Sequence, residues 1–447
     1  MKATVIAATK DLTEGSNPNF LEENKTLSGK MAGICYQKNK YFDTYVSDKD
    51  KATKRFSVVA NTGHHSIADH SYVTVLFEDI SKMLAMVLNS CNFYNTSERS
   101  GRYTLMTGNS DKEKELYEKW KGIFHNRILE LYPDYDDSAL QTKLNKELKK
   151  EEITANYVVL DGTVEDDVWA AEKVESIKEH DLLLPSWKMA QENARYVLSI
   201  FTHNTTMSYT TSLRQWNYIY DWCVKAITRC AVRKEKFYAD LGEELEFLAK
   251  VIKENIYVAE LRDPKDRYFT FLVDLYKDRN PMVYYTEDHL GFSYNVKYDT
   301  SLVALAQEQR HRTLNYYMNF EPQTANYYIP PMIKDTALAD EWLKDLESIA
   351  NVYPQALLVS VIETGTLPEF ILKCEERLCG RVQLETMEQV KDTAQRFMDN
   401  YTNMNSMEQL YVEQLSRNGG MPTKCTLLHS CKEPCYWGKK QALDRLI

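Results

Sequence analysis

The residues of this chain best placed to do chemistry fall into four short clusters. Gly63-His64-His65-Ser66-Ile67-Ala68-Asp69-His70 sets histidines and a carboxylate where a loop hands over to a strand-like run. Such a composition serves a bound cofactor or metal, or simply a polar turn. Glu98-Arg99-Ser100-Gly101-Arg102-Tyr103 offers a hydroxyl, a glycine that lets the backbone approach closely, and a guanidinium fork. Those groups hold a phosphate through charge-assisted hydrogen bonds, although the same residues also make surface turns. Gln309-Arg310-His311-Arg312 ends an otherwise apolar helix with clustered basic groups. They are either solvated or face a polyanion such as a dinucleotide pyrophosphate, because burying them unpaired is costly. Glu376-Arg377-Leu378-Cys379-Gly380-Arg381-Val382-Gln383 continues a helix whose apolar face is Leu367, Ile371, Cys374 and Leu378, with Arg377 at its margin. An exposed arginine paired with a nearby glutamate explains that last cluster equally well. Neither a Walker loop nor a Gly-x-Gly-x-x-Gly motif occurs, so the common nucleotide-binding folds gain no support.

The elements that must carry these clusters are legible in outline. A chain of 447 residues with 43% hydrophobic content accommodates two or three domains. With only 15 glycines and 12 prolines, long regular elements are expected over loops. The net charge of −10 is spread along the chain, which disfavours a general nucleic-acid binder but leaves room for a small anionic ligand. No apolar stretch is long enough for a membrane span, and the opening apolar run stops at Lys10-Asp11, too soon for a signal peptide. A cytoplasmic protein with reduced, buried thiols is expected from its nine cysteines. The first run, Thr4-Val5-Ile6-Ala7, reads as a strand; KEKELYEKWKGIFHNRILELY reads as a helix within a charged stretch from about 111 to 179; residues 187–256 read as helical, with Leu213, Trp216, Tyr220 and Val224 at helical spacing. Residues 286–312 repeat the order of 63–91: a histidine, a strand-type run, a polar break, then a Leu/Ala/Met helix. The helices at Leu213–Val224 and Leu367–Leu378 also correspond in place, so an internal duplication is expected.

Taken together the clusters resemble the flavin-dependent thymidylate synthases, whose signature is Arg-His-Arg followed by Ser-x-Arg and preceded by Gly-His-x-Ser/Thr-x-x-Glu-His. Gly63–His70 is similar to the upstream segment, with Asp69 in place of Glu, and Ser100-Gly101-Arg102-Tyr103 to the end of the signature. Ala32-Gly33-Ile34-Cys35-Tyr36 also resembles a family segment. Where Arg-His-Arg should stand, the first half has Asn89-Ser90-Cys91; the missing motif stands in the second half as Arg310-His311-Arg312, with no Ser-x-Arg after it. Glu192-Asn193-Ala194-Arg195 resembles the family's substrate-arginine segment, with Gln355 read as its second-half counterpart. Arg377 to Glu385 resembles the late helix motif, with Cys223 standing in the first half where that arginine belongs.

The resemblance implies an α+β protein of two tandem copies of that fold, antiparallel sheet with helices. The repeats are placed at 1–245, with an insertion at about 105–187, and 246–447 with a cysteine-containing tail. Members of the family are homotetramers with sites between subunits, so fused halves can each lose the side they no longer supply. The implied assembly is a homodimer forming a pseudo-tetramer. The implied activity is reductive methylation of dUMP to dTMP with FAD, NADPH and methylenetetrahydrofolate. A paralogue that modifies another pyrimidine nucleotide, for example by hydroxymethylation, and a non-catalytic flavin- or nucleotide-binding scaffold are the alternatives. Carried over, Glu98, Ser100, Gly101, Arg102, Arg195 and Arg310 would bind the nucleotide; His64, Ser66, Arg310, His311 and Arg312 would bind FAD; Arg377 would polarise the uracil, with His64 as its catalytic companion. No metal is expected, with zinc on Cys425, His429, Cys431 and Cys435 as the alternative for the tail.

Overall fold

Short runs that alternate between buried and exposed residues form strands in this protein, and a serine or threonine ends most of them by capping the helix that follows. The computed structural model describes residues 1–10, 19–34, 48–90, 93–101, 106–132, 186–262, 288–310, 312, 314–319, 326–380, 382–415, 423 and 443–446. The elements begin with β1 (Lys2–Ala8), α1 (Phe20–Ile34), α2 (Lys49–Asn61), β2 (Tyr72–Ser81), α3 (Lys82–Asn89) and β3 (Asn95–Glu98). Next come α4 (Asp111–Leu131), α5 (Ser186–Ala194), β4 (His203–Ser212), α6 (Leu213–Ala231) and α7 (Lys236–Asn255). Then follow β5 (Ser293–Ser301), α8 (Leu302–Glu308), β6 (Asn315–Asn319), α9 (Pro331–Lys334) and α10 (Leu338–Ser348). The last are β7 (Leu358–Thr366), α11 (Leu367–Arg377), α12 (Leu384–Asp399) and α13 (Ser406–Leu415). This is an α+β protein with antiparallel sheets.

The chain divides into two compact units, Met1–Arg99 with His203–Phe271, and Ser100–Thr202 with Leu272–Ile447. The first holds a sheet of order β1-β2-β4-β3, so the opening run forms an edge strand. Its core gathers Val73, Val75 and Phe77 of β2, Met207 and Tyr209 of β4, and Trp216 of α6, whose indole N–H donates to the Val73 carbonyl at 3.1 Å. The second holds a sheet of order β5-β7-β6. Its core includes Val296, Val359 and Val361 under Phe370 and Phe397, which stack at 5.2 Å. Residues 187–256 are not helical throughout, because β4 lies among them. Its inward positions include Thr205 and Thr211, whose hydroxyls disguise a buried face with a period of two.

Among the described residues both halves of the chain run through the same series: strand, helix, strand, then two helices, 3₁₀ turn, strand, helix. Within each sheet the last strand of the series lies between the first two, as β2-β4-β3 and β5-β7-β6. The caps match as well. Ser81 Oγ accepts from Leu84 N at 2.9 Å to open α3, and Ser301 Oγ accepts from Ala304 N at 3.1 Å to open α8. Ser212 caps α6 in the first half, and Thr366 with Glu369 forms a capping box on α11 in the second. Counted from these caps, Arg310 falls opposite Ser90, one residue after Asn89. The 3₁₀ turns Arg195–Val197 and Ala350–Val352 occupy matching places in the two series.

Candidate active site

In the second unit a first-half segment meets second-half motifs. Ser110 and Glu113 form a capping box at the start of α4, and the buried Glu113 also accepts from Ser199 N at 2.8 Å and Thr202 Oγ1 at 3.2 Å. That anchors the stretch after α5, which runs antiparallel to residues 353–356. Gln355 N donates to Leu198 O at 2.8 Å and Ala356 N to Tyr196 O at 2.9 Å. Arg195 is held at the start of this stretch, only 7% exposed, and its Nη2 donates to Gln383 Oε1. Gly101 packs on the same guanidinium: a Cβ there would sit 3.1 Å from Arg195 Nη1. Gln383 Nε2 donates to Tyr196 OH, which donates to Glu385 Oε2 at 2.6 Å. The buried Glu385 accepts from Ser301 N at 2.7 Å and Ser301 Oγ at 2.6 Å, and so reaches the cap of α8. Burial lifts its carboxyl above the usual range, while the Ser301, Tyr196 and Thr300 hydrogen bonds pull the other way.

The far end of α8 carries the second group. Gln309 closes the helix, and Arg310 and Arg312 are exposed beyond it. Arg377, in the last turn of α11, is 17% exposed at its side chain; Nη2 donates to Gln307 O at 3.4 Å and Nη1 lies 3.6 Å from Glu376. Its Nε is buried with no hydrogen-bond partner among the described residues. A helix of this length spans about 10 Å, so α8 separates the Gln383–Glu385 contacts from the Arg377 contact by a distance on the scale of a mononucleotide.

The loop between Arg377 and Gln383 is clamped by Arg445, whose guanidinium donates to the carbonyls of Gly380 and Val382. Neither Arg445 nor Glu385 stands out from local composition. Glu385 could have been found as the end of the motif that contains Gln383.

Other expected site residues lie in the first unit. His64 and Ser66 are exposed on the turn before β2, open to a ligand. His65 between them is a core residue, 2.9 Å from Tyr218 OH and 3.1 Å from Ala60 O. Asp69 accepts from Ser212 Oγ at 2.8 Å and pairs with Arg214. Glu98, expected on the nucleotide, is 1% exposed and already engaged by Lys82 and by Asn89 at 3.3 Å. Arg102, His311, Cys425, His429, Cys431 and Cys435 lie outside the described residues, as does most of the expected insertion. Among the described residues no group of three His, Cys, Asp or Glu is placed to hold a metal, and no helix is long and apolar enough to cross a membrane. Burial raises the Cys230 thiol to about 11 and Cys374 still further, so neither suits a nucleophile.

Residues 19–226 match the family model described as thymidylate synthase complementing protein. That segment, a little under half of the chain, is similar to that family. It is an enzyme family, that of the flavin-dependent thymidylate synthases. The matched segment contains Ser100, Gly101 and Arg195 but ends before Arg310, Arg377 and Gln383. Among solved structures, the flavin-dependent thymidylate synthase of Helicobacter pylori, complexed with FAD and dUMP, is 14% identical over 57% of this chain and 100% of its own, with a TM-score of 0.26. A second structure of that Helicobacter pylori enzyme, with FAD and dUMP at 2.31 Å resolution, is 15% identical over 58% of this chain and 100% of its own, at the same TM-score. No curated protein matches the sequence.

Proposed function

We propose that the chain catalyses reductive methylation of dUMP to dTMP, with methylenetetrahydrofolate as the one-carbon donor and NADPH as the reductant. We place its site in the second unit, assembled from both halves of one chain after a tandem duplication. The observation that carries this reading is the meeting of Gly101 and Arg195 from the first half with Gln383 from the second. Each half has lost one side of the site, and the two retained sides lie together.

The donor set suits both ligands. A buried guanidinium packed closely against a glycine suits a phosphate, and the exposed pair Arg310 and Arg312 at a helix end suits the pyrophosphate of FAD. Flavin, when bound, supplies hydride transfer, and the protein's part is to bind, orient and stabilise charge. Ser100, Gly101 and Arg195 hold the nucleotide phosphate. Gln383 fixes the Arg195 guanidinium, and Tyr196 and Glu385 fix Gln383 and the start of α8. Arg377, 17% exposed at its side chain, presents its guanidinium to a pyrimidine carbonyl, drawing electron density from the ring and stabilising the charge that develops there. Two chains associate to bring four copies of the repeat together.

The test is ligand content. Denaturing the purified protein after incubation with FAD should release one flavin per chain, and dUMP should bind the loaded protein at one site per chain. Absence of flavin from the supernatant would refute the assignment.

A further inference from the structure

Below the facing ends of α8 and α11 lies a group of charges for which the proposed reaction has no use. The side chains of Glu308, Glu363 and Lys373 are all 0% exposed. Lys373 Nζ donates to Glu363 at 2.6 Å, to Glu308 at 3.4 Å and to Gln389 Oε1 at 3.4 Å. Tyr298 OH lies 2.6 Å from Glu308 and 2.8 Å from Glu363, and Tyr294 OH donates to Glu363 at 2.6 Å. The ammonium also lies 5.4 Å from the centre of the Tyr316 ring. Two carboxylates face one lysine, so the group carries surplus negative charge or holds a proton. Burial lifts the Glu308 carboxyl above its usual range, opposed by the Lys373 charge.

The fold does not require these charges, and the molecule contains its own control. Counted from the caps Ser81 and Ser301, the residue opposite Glu308 is Leu88. Counted from Ser212 and Thr366, those opposite Glu363 and Lys373 are Tyr209 and Ile219. All three are 0% exposed, so the first unit closes the same place with uncharged side chains. Replacing a buried ion group with well-packed apolar residues is commonly neutral or stabilising. The charges therefore need a reason beyond packing, and they occur in the half that retains Arg310 and Arg377.

Their position supplies one. Lys373 sits one turn before Arg377 on α11, and Glu308 is the last residue of α8, immediately after Gln307, whose carbonyl accepts from Arg377. The Lys373–Glu308 contact ties the helix that ends in Arg377 to the helix that leads into Arg310. We infer that Glu308, Lys373 and Glu363 form a positioning element for Arg377, whose cross-helix bridge holds the guanidinium at the end of α8. This inference rests on the nucleotide-facing role of Arg377 proposed above.

The test installs the first unit's solution in the second, as the triple variant Glu308→Leu, Glu363→Tyr, Lys373→Ile, alongside Lys373→Met, Lys373→Arg and Glu308→Gln. Flavin absorbance, thermal melting, dUMP titration calorimetry, kcat and KM are measured on the FAD-loaded full chain. The triple variant should melt within a few degrees of the parent, keep its flavin and bind dUMP within about threefold. Its kcat should fall on the order of ten- to a hundredfold, the scale that a displacement of an ångström or less produces. Lys373→Met should fall similarly, and Lys373→Arg should recover most of the loss. Parent-like kcat in the triple variant would overturn the inference, as would a fall in kcat matched by loss of flavin or dUMP binding. If the triple variant does not fold, the near-isosteric Glu308→Gln decides: reduced kcat with unchanged dUMP affinity supports the element, and unchanged kcat overturns it. Arg377→Ala separates the two readings. If it retains parent kcat, the site assignment fails; if it is inactive while the cluster variants are active, only the positioning role fails.

Discussion

Replacing Gly101 with alanine tests the phosphate end of the site with a single methyl group. The backbone of Gly101 is not in the left-handed region, so alanine brings no conformational strain and its effect is steric. The new Cβ would lie 3.1 Å from Arg195 Nη1 and 3.2 Å from Met106 Cε. The methionine tip can swing away, but the guanidinium is buried, hydrogen-bonded to Gln383, and fixed behind it by the Tyr196–Glu385 contacts. Relief of a few tenths of an ångström must therefore come from Arg195. Overpacking of this kind costs about 1–3 kcal/mol. If it falls on the phosphate contact, dUMP affinity should drop roughly five- to a hundredfold, since about 1.4 kcal/mol is a factor of ten. Flavin binding should not change, because Arg310 and Arg312 are at the other end of α8. Calorimetric titration of the FAD-loaded variant with dUMP measures the loss. Affinity within twofold of the parent, in a variant that melts normally, would show that Gly101 and Arg195 do not bind the phosphate.

Two further outcomes follow from the same contacts. Mixing Arg195→Ala chains with Arg310→Ala chains should restore no activity, since Arg195 meets the second-half motif of its own chain; recovery near a quarter of parental activity, expected from random pairing in two-chain assemblies, would move the site between chains. The buried Glu385 has a carboxyl raised above its unfolded value of 4.5, so the folded state binds more protons and Glu385 costs stability as pH rises through that raised value. Glu385→Gln should accordingly flatten the decline in melting temperature as pH rises above the unfolded value of 4.5; an unchanged slope would contradict that account.

Much of this was legible before any coordinates. Helix α4, the strand β1, and the helices opening at Leu213 and Leu367 follow from local periodicity and side-chain chemistry acting within a few residues. The division of the family signature between Ser100-Gly101 and Arg310 is likewise a property of the sequence. Strand β4 was hidden because threonine fills inward positions that apolar residues usually mark. The one-residue offset between Asn89 and the register set by the helix caps has a related cause. Motif spacing fixes a neighbourhood, whereas caps and turns fix the residue.

The tertiary structure alone decided which polar side chains remain available to a ligand. Glu98 reads as a nucleotide contact until Lys82, from another element, is found on its carboxylate. His65 reads like His64 until Tyr218 is found against its ring. Glu308, Glu363 and Lys373 carry no local sign of association, because 65 residues separate Glu308 from the lysine it faces. Sequence periodicity encodes which face of an element turns inward, through interactions within a turn or a pleat. Partners for a buried charge come from whichever distant elements the packing brings alongside, and that is fixed only when the chain closes its core.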